Sequence, residues 1–276
     1  MLSAHLAPAA GPLDLLRSLW RHRQLIITMT RREVIGRYRG SVIGIAWSFF
    51  NPLLMLAVYT FVFSEVFQAR WVGQDTSKSG FAVLLFVGMI VHGLFAECAT
   101  RSPSLIMSNG NYVKKVLFPL EVLSVVTLGA ALFHTGVSLI VLLLAQWVLT
   151  HTLYWTAFLL PLVLLPLAIA TLGFSWLLAA LGVYLRDVGQ VIGVLTTVLL
   201  FISPVLYPVA ALPPAYRPWL QLNPLTYIIE ESRNVLLFGR WPDWQSLALA
   251  MLIACAIAVA GFGLFQKARK GFADVL

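Results

Sequence analysis

Six long apolar runs, separated by short polar or charged stretches, set the pattern of this chain. They span residues 42–64, 81–99, 122–150, 156–185, 188–207 and 244–265. Crossing the hydrocarbon of a bilayer takes about 20 such residues in a helix, so the pattern predicts six transmembrane helices and an all-α, polytopic membrane protein. An even number of crossings returns both termini to the same side. In the first run Asn51-Pro52 predicts a kink, because proline removes a helix hydrogen bond and crowds the preceding turn.

The segments outside these runs have their own patterns. Residues 1–12 break off at Gly11-Pro12 before any apolar core forms, and they read as a disordered lead-in without a cleavable signal. From Leu13 to Thr30, the residues Leu13, Leu16, Leu19 and Trp20 fall at helical spacing, with Arg17, Arg21 and Arg23 mostly elsewhere. That arrangement suits an interface helix in the headgroup layer of anionic membrane lipid. Charge continues through Arg31, Arg32, Arg37 and Arg39, so residues 13–40 form one basic unit ahead of the membrane domain at 41–265. A tail at 266–276 follows it.

Two polar insertions interrupt the apolar pattern. The first is Asn109 to Glu121, where Asn109-Gly-Asn supplies turn and capping chemistry, Tyr112 to Phe118 allows about two helical turns, and Pro119 ends them. Lys114 and Lys115 sit in its middle, and such a capped knob suits the groove of another protein. The second is the stretch 208–243. Pro213-Pro214 can start a short helix carrying Tyr216 and Trp219, and Asn223-Pro224 reads as cap plus first residue of a helix running to Gly239. The second helix bears Glu230, Glu231 and Arg233 and is too short to cross. A pair of re-entrant helices at 213–238 is expected.

Composition and charge sharpen this picture. Sixty per cent of residues are hydrophobic, 11% are charged and mean hydropathy is +0.88, which excludes a soluble domain. The net charge of +8 would suggest nucleic acid in a soluble protein, but here the cations flank apolar runs, and no nucleic-acid partner is expected. Fourteen of the nineteen Lys and Arg residues fall on the terminal side and five on the other, with seven before the first run. Positive residues stay inside, so both termini are expected in the cytoplasm.

Catalytic signatures are absent. There is no phosphate-cradling Gly-rich loop, no nucleophile elbow and no metal-spaced His or Cys cluster, so no catalytic residue, metal or cofactor is assigned to the chain. Cys98 and Cys255 lie in apolar runs and read as packing residues. His92 and His134 lie within runs, where a neutral, hydrogen-bonded packing role is expected ahead of a functional one. Glu97 and Arg101 stand four apart and should pair along one helix face. Arg186-Asp187, in the turn between the fourth and fifth runs, either anchors that turn or touches a partner. Tyr59, Phe63 and Phe67 recur on one helix face, and Phe201 and Tyr207 lie in the fifth run. Such aromatics either line a path for sugar rings or are ordinary interfacial residues.

At this point a resemblance becomes visible. Arg37-Tyr-Arg-Gly-Ser-Val-Ile-Gly-Ile-Ala-Trp-Ser-Phe-Phe-Asn-Pro-Leu53 resembles the start of the first span in membrane (permease) subunits of bacterial ABC exporters for lipid-linked polysaccharide. That family includes O-antigen, capsule and teichoic acid exporters. Ile43 replaces a usual leucine, and Gly40 a residue that is frequently basic. Tyr184-Leu-Arg-Asp-Val188, Ser203-Pro204 with Tyr207-Pro208, and Asn223-Pro-Leu225 are similar to later landmarks of the family.

The resemblance implies a homodimer forming a channel, with two cytoplasmic ATPase subunits below that bind the ATP and Mg. It implies a coupling helix at 109–119 and an ATPase contact made by Asn109, Tyr112, Lys114, Lys115 and Phe118, together with Arg186 and Asp187. Arg31, Arg32, Arg37 and Arg39 would meet the substrate diphosphate. Tyr59, Phe63, Phe67, Phe201 and Tyr207 would line the channel, and Tyr216, Trp219, Glu230 and Glu231 would gate its outer end. The expected activity is export of polyprenyl-diphosphate-linked polysaccharide, most simply O-antigen, across the bacterial inner membrane. The alternatives are an exporter of a drug or small lipid, or a membrane enzyme acting on polyprenyl sugars.

Overall fold

The computed structural model describes residues 12–66, 78–113, 118–209 and 212–275. Phe67, Lys114, Lys115 and residues 1–11 lie outside them, as do the side chains of Leu13 and Leu16. The described residues are helical, with no strand among them. In chain order the helices are α1 (Pro12–Arg21), α2 (Arg23–Arg37), α3 (Trp47–Thr60), α4 (Lys78–Ser108), α5 (Gly110–Val113) and α6 (Val122–Thr150). There follow α7 (Leu160–Tyr184), α8 (Val188–Ile202), α9 (Arg217–Gln221), α10 (Pro224–Leu237), α11 (Trp244–Ala268) and α12 (Phe272–Val275).

Five stretches are long and apolar enough to cross a membrane: Gly44–Phe63, Gly80–Ser108, Val122–Thr150, Trp155–Tyr184 and Trp244–Gly271. The fifth apolar run differs from the expected 188–207. Its helix, α8, has 15 residues, about 22 Å at 1.5 Å each, which falls short of a hydrocarbon core. The cause is local. Ser203 is extended (φ −77°, ψ 153°) because it precedes Pro204, and the residue before proline is pushed out of the helical region.

Other boundaries also differ from the expected ones. The amphipathic N-terminal segment is two helices broken at His22 rather than one, and α2 lies along α6, with Thr30 against Gly129. Helix α4 continues well past residue 99 and runs through Pro103, while α3 runs through Pro52.

Packing divides into two main cores. The larger joins α3, α4, α6, α7 and α10 and includes Val87, Leu142, Val163 and Ile229. A separate cluster occupies the end carrying α1 and α12, built from Leu15, Ile106, Leu120, Trp176, Phe265 and Phe272, with Tyr112 and Phe118 packed against it. Helices α7 and α11 touch backbone to backbone. A Cβ on Gly173 would stand 2.6 Å from the Ile257 carbonyl oxygen, and one on Gly261 would collide with the Gly173 carbonyl. Between membrane helices, where lipid is as apolar as any side chain, such small-residue contacts supply the packing.

Candidate functional site

The described part of the polar insertion at 109–121 sits at the end of the bundle that carries α1 and α12. Its described helix, α5, covers Gly110–Val113, and most of the expected two turns over Tyr112 to Phe118 falls on residues 114–117, outside the described residues. Asn109 precedes it, yet its side chain turns back and donates Nδ2 to the Leu105 carbonyl at 2.9 Å, closing the end of α4. The Tyr112 ring stacks on Phe118, with centroids 4.3 Å apart and planes 14° from parallel, which closes the insertion on itself. Arg186 and Asp187 are exposed at the same end, in the turn between α7 and α8.

Four residues that sequence reasoning gave no role hold this end together: Ser18, Glu121, Trp176 and Arg269. Glu121 is buried; it accepts Ser18 Oγ at 3.0 Å and Arg269 Nη1 at 3.1 Å. Arg269 also donates Nη2 to the Phe118 carbonyl at 3.0 Å, and Trp176 Nε1 donates to the Glu121 carbonyl at 3.0 Å. The partners lie 55 to 148 positions from Glu121, so no local signal could have found them.

Where α2 meets α4, opposite charges interlock. Arg37 pairs with Glu97, and Arg101 pairs with Glu33 and, at 3.6 Å, with Glu97 as its spacing predicted. Beside them is a cavity of about 300 Å³ lined by Arg37, Tyr38, Asn51, Glu97, His134 and Ser138, among others. The Tyr38 hydroxyl lies 3.3 Å from His134 Nδ1, and burial raises the Tyr38 phenol above its ordinary value. Of the four candidate diphosphate arginines, only Arg37 lines this cavity; Arg31, Arg32 and Arg39 are exposed. A guanidinium with neighbouring hydroxyl, amide and imidazole groups can bind phosphate oxygens, here in exchange for the Glu97 carboxylate that it pairs with in the same cavity. His92 lies elsewhere, with Nε2 3.0 Å from the Thr196 carbonyl, a satisfied packing role.

At the opposite end, α10 is tied inward. Arg233 is 1% exposed and donates Nε to the Leu84 carbonyl at 3.1 Å, Nη2 to the Val205 carbonyl at 3.1 Å and Nη1 to Glu230 at 2.8 Å. Glu231 is buried, which raises its carboxyl, and it accepts Asn234 Nδ2 and the Asp243 amide, each at 3.3 Å. Tyr216 and Trp219 are exposed on and beside α9. Tyr59 and Phe63 pack with Phe81, the Phe63 and Phe81 rings 5.6 Å apart. Phe201 faces outward, and the Tyr207 hydroxyl donates to the Phe201 and Ile202 carbonyls, both at 3.0 Å, closing the end of α8. No group of three His, Cys, Asp or Glu residues able to hold a metal occurs among the described residues.

Comparison with known proteins agrees with this architecture. The chain is 29% identical over 264 residues to the O-antigen export system permease protein RfbA of Myxococcus xanthus, covering 95% of this chain and 99% of that one. It is 26% identical to a protein of the same name from Klebsiella pneumoniae, covering 91% and 95% of the two chains. It is 24% identical to the polysialic acid transport protein KpsM of Escherichia coli, covering 87% and 91%. The family profile described as ABC-2 type transporter matches residues 24–237, most of the chain, including the charged cluster at α2 and α4, the polar insertion and α10. With that match added to its apolar helices, the chain belongs to the ABC-2 type transporter family.

Proposed function

We propose that this chain is the membrane subunit of an ATP-driven exporter that moves polyprenyl-diphosphate-linked polysaccharide, of O-antigen type, from cytoplasm to periplasm. Two copies would form the channel, two ATPase subunits would dock beneath, and both termini would lie in the cytoplasm of a bacterium with an inner membrane. The observation that carries this reading is the insertion at Asn109–Glu121. It is seated on its own apolar cluster at the end where most Lys and Arg residues gather. A cytosol-facing lever of this kind is where a separate motor can push. The names of the relatives supply the cargo class.

In this reading the lipid stays in the bilayer while its diphosphate approaches Arg37 and Arg39, with Arg31 and Arg32 leading to them. Arginine's planar fork suits phosphate oxygens, and the cavity beside Arg37 adds neutral donors. Closure of the ATPase pair would move Asn109, Tyr112 and Phe118, and with them α4 and α6, while Arg186 and Asp187 would follow the same partner. The second copy would cover α3 and α8, whose apolar side chains (Phe50, Leu54, Val194 and Phe201 among them) face outward in the single chain. The chain binds no nucleotide in this scheme; hydrolysis belongs to the partner.

The test is reconstitution into vesicles with the candidate ATPase and lipid-linked glycan. The expected result is glycan accumulation across the membrane only when both proteins and ATP are present. Glycan movement by this chain alone, or none by the complete complex, would overturn the reading.

A further inference from the structure

We propose that the Glu121 carboxylate, held by Arg269, is the mount that turns movement of the Asn109–Phe118 lever into movement of the spans, and that the C-terminal tail is therefore a working part of the coupling apparatus. This proposal rests on the exporter reading above. It assigns positioning roles to Glu121, Arg269, Ser18 and Tyr184.

Four segments converge on Glu121. Ser18 of α1 donates to Oε1 and Arg269 of the tail to Oε2, while Trp176 of α7 donates to its main-chain carbonyl; the fourth segment is its own, between the lever and α6. Arg269 holds the lever twice, through Glu121 and through the Phe118 carbonyl. The carboxylate is 4% exposed, so each oxygen needs a donor from the protein, and here each has one.

The tail is fastened in turn to the second loop at this end. The Tyr184 hydroxyl donates to the Ala268 carbonyl at 2.8 Å. Phe272 is fully buried, its ring 5.6 Å from Phe265 and 6.1 Å from Tyr184. Tyr184 stands two residues before Arg186-Asp187. The tail therefore straps together the two loops that would face a motor.

Without such ties a push on the lever would be absorbed at Pro119, where helical structure is interrupted before α6 begins. With them the lever, α1, α7 and the end of α11 are joined through one buried residue, by charge-assisted hydrogen bonds from Ser18 and Arg269 and a neutral one from Trp176. Coupling between distant sites travels through joined networks of this kind.

The experiment compares Arg269→Gln and Arg269→Lys with wild type in the assembled complex, measuring glycan exported and ATP hydrolysed in the same vesicles. For Arg269→Gln, which gives up both charge-assisted bonds of the guanidinium, glycan exported per ATP is expected to fall about tenfold or more, while assembly and hydrolysis persist. Arg269→Lys keeps the charge and is expected to recover part of the ratio. Should Arg269→Gln fail to assemble, Ser18→Ala and Tyr184→Phe each remove one hydroxyl tie and are expected to lower the same ratio. An unchanged ratio in the variants would overturn the proposal alone, as would export and hydrolysis falling in proportion to assembled complex. Absence of export by the wild-type complex would overturn the exporter reading together with it.

Discussion

Arg233 and Leu84 lie 149 positions apart, yet the guanidinium Nε donates to the Leu84 carbonyl at 3.1 Å inside the protein. The bond reaches from α10 to the N-terminal part of α4, and the same guanidinium holds the Val205 carbonyl beyond α8. Gly88 makes room for it, since a Cβ there would stand 3.1 Å from Nη2 and 3.0 Å from the Val205 Cα. Burial draws the Arg233 guanidinium down to about 10, which leaves it charged at neutral pH. A short helix between the last two spans is thus fixed to the core of the bundle by one cation.

Replacing Arg233 with alanine strips two buried carbonyls of a donor and leaves a void. Losses of that kind cost roughly 3 kcal/mol. Arg233→Ala is expected to lower the unfolding midpoint of the detergent-solubilised protein by several degrees, and Arg233→Lys by less, because lysine keeps the charge without the fork. A thermal scan followed by tryptophan fluorescence checks this; an unchanged midpoint in Arg233→Ala would remove the staple.

The backbone contact between α7 and α11 makes a sharper pair of variants. A methyl group on Gly261 would strike the Gly173 carbonyl, whereas one on Gly263, two residues on, meets nothing within 4 Å. Overpacking costs roughly 1–3 kcal/mol, while alanine for glycine in an exposed helix is neutral or favourable. Gly261→Ala is therefore expected to unfold earlier than wild type, and Gly263→Ala at the same temperature or later. The same thermal scan checks both, and identical behaviour of the two variants would contradict the crossing geometry.

Arg37 faces both Glu97 and the cavity beside Tyr38 and His134. Removal of its fork, together with that of Arg39, is expected to lower glycan export by about tenfold or more while the complex still assembles. ATP-dependent export by the Arg37→Ala, Arg39→Ala double variant measures this. Full export would take the diphosphate role away from both arginines.

How much of this was legible in the sequence depends on the range of the interaction. Asn223-Pro224 announced α10 to the residue, because capping is local: Asn223 Oδ1 accepts the Leu225 amide at 3.0 Å. The Glu97 and Arg101 pair was likewise readable from four-residue spacing. The shortness of α8 was written in Ser203-Pro204 but masked by the apolar residues that carry on past it. The break at His22 has no proline or glycine to mark it. Arg233 read as one more outer charge, and Glu121 as the end of a loop, because their partners arrive only when distant helices pack. Hydrophobic pattern reports which segments enter the membrane; it does not report which buried polar groups will meet.

The central claim is that the Asn109–Phe118 lever faces the cytosol and meets a separate ATPase there. It is tested most directly by a single cysteine at Asn111, which is exposed on α5, in a Cys255→Ser background that leaves only the buried Cys98. A membrane-impermeant thiol reagent is expected to label Asn111→Cys in inside-out vesicles and not in intact right-side-out ones, and the co-expressed ATPase is expected to shield it. Labelling from the periplasmic side, or labelling unchanged by the ATPase, would contradict the account.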